Sequence, residues 1–224
     1  DTFQVLFDET GSTFFGTDRQ GIKIGTWFAR NVRRNGIAVG DLAANDSVRC
    51  NVTIGTAEIR PDPAGLTATQ FMLALNGASG GSNVNIDVLR LIDVGTNFGI
   101  YTETTANFRA GRVELINHSD RAAQLRGRTE IQDFYAYNNG PGSSTNPVIH
   151  LGNPAISGTY IGHLQLVASA ANAMRVLQSD SGSISWDIGK LTTSNYVCTT
   201  GTVYVDTNTS WGIHAIRMVG NGNA

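Results

Sequence analysis

The stretch Arg112–Gly127, RVELINHSDRAAQLRG, has a counterpart 51 residues later, HLQLVASAANAMRVLQ at 163–178, with the same apolar skeleton and almost no residue in common. Val113, Leu115, Ile116, Ala122 and Leu125 fall on Leu164, Leu166, Val167, Ala173 and Val176. Hydrophobicity kept in register while other positions drift is the signature of stacked repeats. Positions that touch the units above and below stay apolar, and positions that face water vary. The offset reads as two periods of roughly 25 residues.

Further copies follow outward from this pair. Phe28 is followed by Ile37 after Asn35-Gly36, Leu91 by Ile100 after Gly99, and Ile188 by Val197. Units start near 26, 48, 86, 113, 129, 164, 186 and 203, so cores repeat and loops vary. Each unit reads as a short strand, a polar corner, a second short strand beginning near Gly-Ile, and a variable return loop. Strands this short cannot bury a face alone, so coil must stack on coil. The chain is therefore expected to be one all-β domain over 1–224, on its own or as part of a longer polypeptide. Leu91, Ile100, Leu115, Leu125, Leu166 and Val176 are expected in a single core. The competing all-β architecture is an antiparallel β-sandwich built on hairpins, for which Asn35-Gly36, Asn76-Gly77 and Asn139-Gly140 are candidate turns.

Composition agrees with many short strands. Among 224 residues there are 26 glycines, and the apolar share of 41% suits a globular chain. A net charge of −2 offers no basic footprint for nucleic acid. No run is long enough for membrane insertion as a helix, and the chain opens at Asp1 without a leader-like segment. The two cysteines, Cys50 and Cys198, read as buried thiols rather than a disulfide framework. The sequons at Asn45, Asn51, Asn117 and Asn208 decide nothing in a chain so rich in Asn, Ser and Thr.

If Val113 and Leu115 point inward, Glu114 points outward, with Trp27, Arg90, Gln165 and Asp187 as its expected column. On the intervening unit Glu130 and Gln132 face out, Asp133 sits at the bend, and Tyr135 and Tyr137 follow. Glycosidic cleavage takes two carboxylates about 5 to 9 Å apart, and coils stack at about 4.8 Å. Glu114, Glu130 and Asp133 are thus the candidate catalytic acids. Tyr135 and Tyr137 are candidate sugar-stacking rings, and Arg126 and Arg128 candidate partners for an acidic sugar. Equally, the acids can be solvated carboxylates on a polar face balanced by the arginines, and the tyrosines can pack between coils. His118, His150, His163 and His214 lack the spacing of a metal site, so no metal and no cofactor is expected.

The segments GIKIGTWFARNVRRNGIAVGD, LRLIDVGTNFGIYTETTANFRAGRVELINHSDRAAQLRG and EIQDFYAYNNGPGSSTNPVIHLGN, in which strand, Asn or Asp at a bend, and Gly-Ile recur, resemble the pectate-lyase-like superfamily. Within it they are similar to the tailspike and capsule-depolymerase proteins of bacteriophages. The resemblance implies a right-handed single-stranded parallel β-helix. It further implies a homotrimer located in the virion at the phage tail, with a bacterial surface polysaccharide as the partner that is recognised or also cleaved. Pectate-type lyases carry a dense acidic cluster for Ca²⁺ that has no equivalent here. A secreted polysaccharide-degrading hydrolase or lyase, and a purely structural or adhesive β-helix, are the competing functions.

Overall fold

The computed structural model describes residues 4–8, 11–15, 19–32, 35–39, 50–62, 71–75, 83–95, 98–118, 121–139, 147–152, 158–172, 175–180, 184–196, 203–205 and 209–219. The strands in chain order are β1 (Gln4–Asp8), β2 (Gly11–Phe15), β3 (Arg19–Val32), β4 (Ile37–Val39), β5 (Cys50–Pro61), β6 (Phe71–Leu75), β7 (Asn83–Gly95), β8 (Phe98–Thr102), β9 (Asn107–His118), β10 (Ala123–Leu125), β11 (Arg128–Asn139), β12 (Ile149–Leu151), β13 (Thr159–Asn172), β14 (Leu177–Ser179), β15 (Ile184–Tyr196), β16 (Val203–Val205) and β17 (Thr209–Val219). The long odd-numbered strands from β3 to β17 form one sheet in sequence order. The short even-numbered strands form the other, preceded by β1. Every pairing is parallel except β1 with β2. This is a parallel β-helix, and the parallel pairing excludes the antiparallel sandwich.

One ladder shows the stacking. Ile24, Ile54, Ile86, Ala110, Ile131, Ile161, Ile188 and Ile213 are successive partners across the long strands. The coil length along it runs from 21 residues, Ala110 to Ile131, to 32, Ile54 to Ile86. The 51-residue offset holds on the long strand, where Val113 stacks on Phe134 and Phe134 on Leu164. It fails on the short strand. Ala123 lies under Ile149 and Leu177, an offset of 54, so Ala122 corresponds to Val176 and not to Ala173. The later coil has three more residues between its long and short strands than the earlier one. Leu91, Ile100, Leu115, Leu125, Leu166 and Val176 all lie in the one buried core.

The long strands are not straight. In β9 exposure alternates up to Ala110, then Gly111 and Arg112 both face out, and alternation resumes with opposite parity. Inward residues therefore follow an i, i+2, i+5, i+7 pattern, such as Phe108, Ala110, Val113 and Leu115. At this bend neighbouring coils nearly touch: a Cβ on Gly189 would stand 2.5 Å from the Gly162 carbonyl oxygen. The parity change corrects two expectations. Trp27 is buried in the column of Ala57, Leu89 and Val113, whereas Phe28, expected inside, is 65% exposed beside Glu58.

A second corner closes the long strands. Asn31, Asp93, Asn117, Asn138 and Asn195 adopt left-handed backbone with φ between 53° and 65°, a conformation in which Asn and Asp carry the smallest penalty among side-chain-bearing residues. Asn117 donates to Asp93 at 2.6 Å and Asn138 to Asn117 at 3.1 Å, so the bend expected at Asn or Asp is laced from coil to coil. Cys198 and the side chain of Cys50 lie outside the described residues.

His118 ends β9 and is buried, and desolvation lowers its pKa to about 4. Its neutral form is the folded form, so the unfolded chain binds the extra proton. The associated stability is complete above about pH 6.5 and is lost as pH falls toward 4. Urea midpoints at pH 8 and pH 5 should differ more for the wild type than for His118→Leu. Equal differences would remove His118 as the cause.

Candidate functional site

Before the first bend of each long strand, one outward column runs Lys23, Thr53, Asn85, Arg109, Glu130, Tyr160, Asp187, Gly212. Beside it, at the strand entries, Asn107 donates to Asn83 at 2.9 Å and Asn83 to Asn51 at 2.8 Å. Arg128 continues this second column on the next coil. Between the columns lie two concavities. One of about 640 Å³ is lined by Arg128, Glu130, Tyr160, Asp187, Trp211 and His214 among others. The other, of about 230 Å³, is lined by Asn83, Asn85, Asn107, Arg109, Arg128 and Glu130 together with Phe108. They share Arg128 and Glu130, so together they form one groove along the helix axis. It runs from β7 to β17, about 24 Å at about 4.8 Å per coil.

The groove is polar and adjustable. Glu130 meets Arg109 at 3.2 Å, with both side chains largely solvated, so the pair contributes little to stability and can open to a ligand. Asp187 meets His214 at 2.7 Å. Tyr160, 40% exposed, presents its ring between Glu130 and Asp187. Trp186 lines the larger concavity while buried, with Trp211 stacked on it at 5.6 Å.

Beyond the bend lies a separate patch. Glu114 is clamped by Arg90 at 2.9 Å and Arg112 at 2.6 Å. Its neighbour on the next coil is Tyr135 rather than Glu130. Tyr135 donates to Asp133 at 3.1 Å, receives the Arg112 guanidinium over its ring at 4.8 Å, and lies 6.0 Å from the nearly parallel ring of Tyr137. Burial first, then the hydrogen bond to Asp133, pushes the Tyr135 phenol up. His163 meets the Tyr135 ring edge-on at 5.6 Å. Glu114 and Glu130 thus stand on opposite sides of the bend. Asp133 sits at this bend, in register with Arg112 and His163.

Arg126 belongs to a third face. It follows β10, donates to the Tyr101 hydroxyl at 3.2 Å, and lies 5.6 Å over that ring. Burial and a hydrogen bond to Glu103 push the Tyr101 phenol up to about 12. His150, on the same sheet, meets Asp180 at 2.8 Å. Its pKa is lowered by desolvation against the opposing pull of that carboxylate.

Of the seven candidates, Arg128 and Glu130 therefore share the groove, Glu114, Asp133, Tyr135 and Tyr137 share the patch beyond the bend, and Arg126 stands apart. Asp187, expected in the column of Glu114, belongs to that of Glu130. Tyr160 and the asparagine column were missed. The signal that finds them is the i, i+2, i+5, i+7 spacing, because it separates outward residues before the bend from those after it. Among the described residues no three His, Cys, Asp or Glu side chains come together as a metal site. No protein-family model, curated protein or solved structure matches the chain.

Proposed function

We propose that the groove is a glycan-binding cleft and that the protein is a tailspike- or fibre-type β-helix recognising a bacterial surface polysaccharide. The observation that carries the glycan reading is the groove itself. Its lining follows the axis from coil to coil, with an aromatic face at Tyr160, amide groups at Asn83, Asn85 and Asn107, and charges at Arg128, Glu130 and Asp187. A pyranose chain offers apolar faces to rings and hydroxyls to amides and carboxylates, and a cleft spanning several coils matches an extended polymer. The virion assignment is supported by the recurring strand, Asn or Asp bend, and Gly-Ile pattern alone.

Cleavage is the second reading. Glu130 and Asp187 line one concavity two coils apart, about 9.6 Å between backbones, near the upper separation of inverting glycosidases.

The test is a panel of purified capsular and O-antigen polysaccharides. Tyr160→Ala should weaken binding at least tenfold, about 1.4 kcal/mol, while Tyr137→Ala, on the patch beyond the bend, leaves it unchanged. A viscosity fall abolished by Glu130→Gln establishes cleavage. Affinity lost with Tyr137→Ala and kept with Tyr160→Ala moves the site across the bend. No binding to any member leaves the structural or adhesive reading in its place.

A further inference from the structure

The two concavities of the groove differ in charge. The smaller, at the β7 to β11 end, sets the guanidiniums of Arg109 and Arg128 against a single carboxylate, Glu130, with the amides of Asn83, Asn85 and Asn107 beside them. The larger, toward β17, sets two carboxylates, Glu130 and Asp187, against Arg128 and the His214 imidazole, and adds the ring of Tyr160. The pairing inside the groove sharpens this contrast. Glu130 is matched to Arg109, and Asp187 to His214. Arg128 is exposed, lines both concavities, and has no hydrogen bond or ion pair among the described residues. Its stem lies against the next coil, with Cγ 3.6 Å from where a Cβ on Gly158 would be.

We infer that the glycan is anionic with its carboxylates spaced apart: an acidic sugar sits at Arg128 in the smaller concavity, and the sugar next to it, at Tyr160, is neutral. This rests on the reading of the groove as a glycan cleft and names the class of polymer it takes. A guanidinium without a partner offers a ligand carboxylate two parallel donors, and no contact within the protein has to break first. The Arg109–Glu130 pair, with side chains 64% and 43% exposed, is weakly held, so Arg109 can turn to the same carboxylate. One coil on, about 4.8 Å along the axis, the chemistry reverses. Tyr160 offers a ring face, and Glu130 and Asp187 offer acceptors. That suits a sugar carrying hydroxyl donors and repels a second carboxylate. The coil step is close to the length of one sugar in an extended chain. A polymer acidic at every residue therefore brings a carboxylate against Glu130 and Asp187, whereas one with neutral sugars between its acids matches both halves of the groove.

The probes are capsular polysaccharides that are neutral, acidic at one sugar per repeat, or acidic at every sugar, each acidic one also tested after reduction of its carboxylates to alcohols. Binding should favour the second class. Carboxyl reduction should weaken it at least about tenfold. Arg128→Gln, at an exposed side chain, should weaken binding of the native polymer by a similar factor and leave the affinity for the reduced polymer unchanged. Added salt should lower the affinity for the native polymer more than for the reduced one. Preference for the neutral or the fully acidic polymers, equal affinity after carboxyl reduction, or indifference to Arg128→Gln would each overturn the inference. Tyr160→Ala tells this failure from that of the groove itself. Affinity lost with Tyr160→Ala and kept with Arg128→Gln leaves the cleft standing and removes only the charge assignment. Binding indifferent to both substitutions, or no binding to any polymer, removes the cleft as well.

Discussion

Leu115→Ala is expected to lower the stability of the fold by about 2 to 5 kcal/mol, toward the upper end of that range. Leu115 is fully buried between Leu91 and Ala136 in successive coils. Its Cδ2 lies 2.3 Å from where a Cβ on Gly99 would be, so it occupies space that the opposite wall leaves empty. Neither Gly99 nor Ala136 has atoms to move into the gap, and the strands around it are held by coil-to-coil pairing. The cavity therefore persists instead of collapsing. Urea unfolding should show a lower midpoint with an unchanged slope, and Leu166→Ala should behave alike. Gln132→Ala, exposed at the bend, should stay within about 0.5 kcal/mol. A loss below about 1 kcal/mol at Leu115 would mean that the column is not packed as described.

Gly127→Ala is expected to cost about 3 kcal/mol, although it adds one methyl group. A Cβ there would stand 2.3 Å from two backbone carbonyl oxygens, those of Glu103 and Ala106. Neither can swing aside as a side chain could. The Glu103 carbonyl accepts from Ala106 at 3.0 Å, and the Glu103 amide donates to Leu75 at 2.8 Å. Gly127 is itself tied down, its amide donating to the buried Thr102 hydroxyl at 3.1 Å. Relief requires the turn between β8 and β9 to part from the turn between β10 and β11. Since each coil contacts chiefly its neighbours, hydrogen exchange should quicken at amides 98–131 and stay unchanged in β15. A uniform change, or none, would count against stacking at that corner.

Much of the architecture is legible in residue order because it depends on burial. Val113, Leu115, Leu164 and Leu166 must be apolar in any stacked coil, and their recurrence declares a solenoid without any motif. Gly36-Ile37 and Gly99-Ile100 are legible for a related reason: each Ile is an inward residue of a short strand, and each Gly stands where a Cβ would meet Ile59 or Leu115. The register of the first coil was misread because Trp27 and Phe28 are both apolar, and hydropathy cannot say which of two adjacent large rings faces in.

Grouping on the surface is another matter. Glu114, Glu130, Asp133 and Tyr137 lie within one short run of sequence, yet they divide between two faces because two successive outward residues turn the strand and reverse its parity. Arg126, two residues from Arg128, reaches a third face because a corner intervenes. Conversely Asn83, Arg128, Tyr160 and Asp187, far apart in the chain, meet in one groove. By itself the sequence determined the class of fold, the stacked core and the Asn and Asp bends, because local packing demands particular residue types at those positions. Which exposed side chains share a face was decided only by tertiary structure. Loop lengths of any size are compatible with the same stacking, so sequence separation carries no information about which outward residues become neighbours.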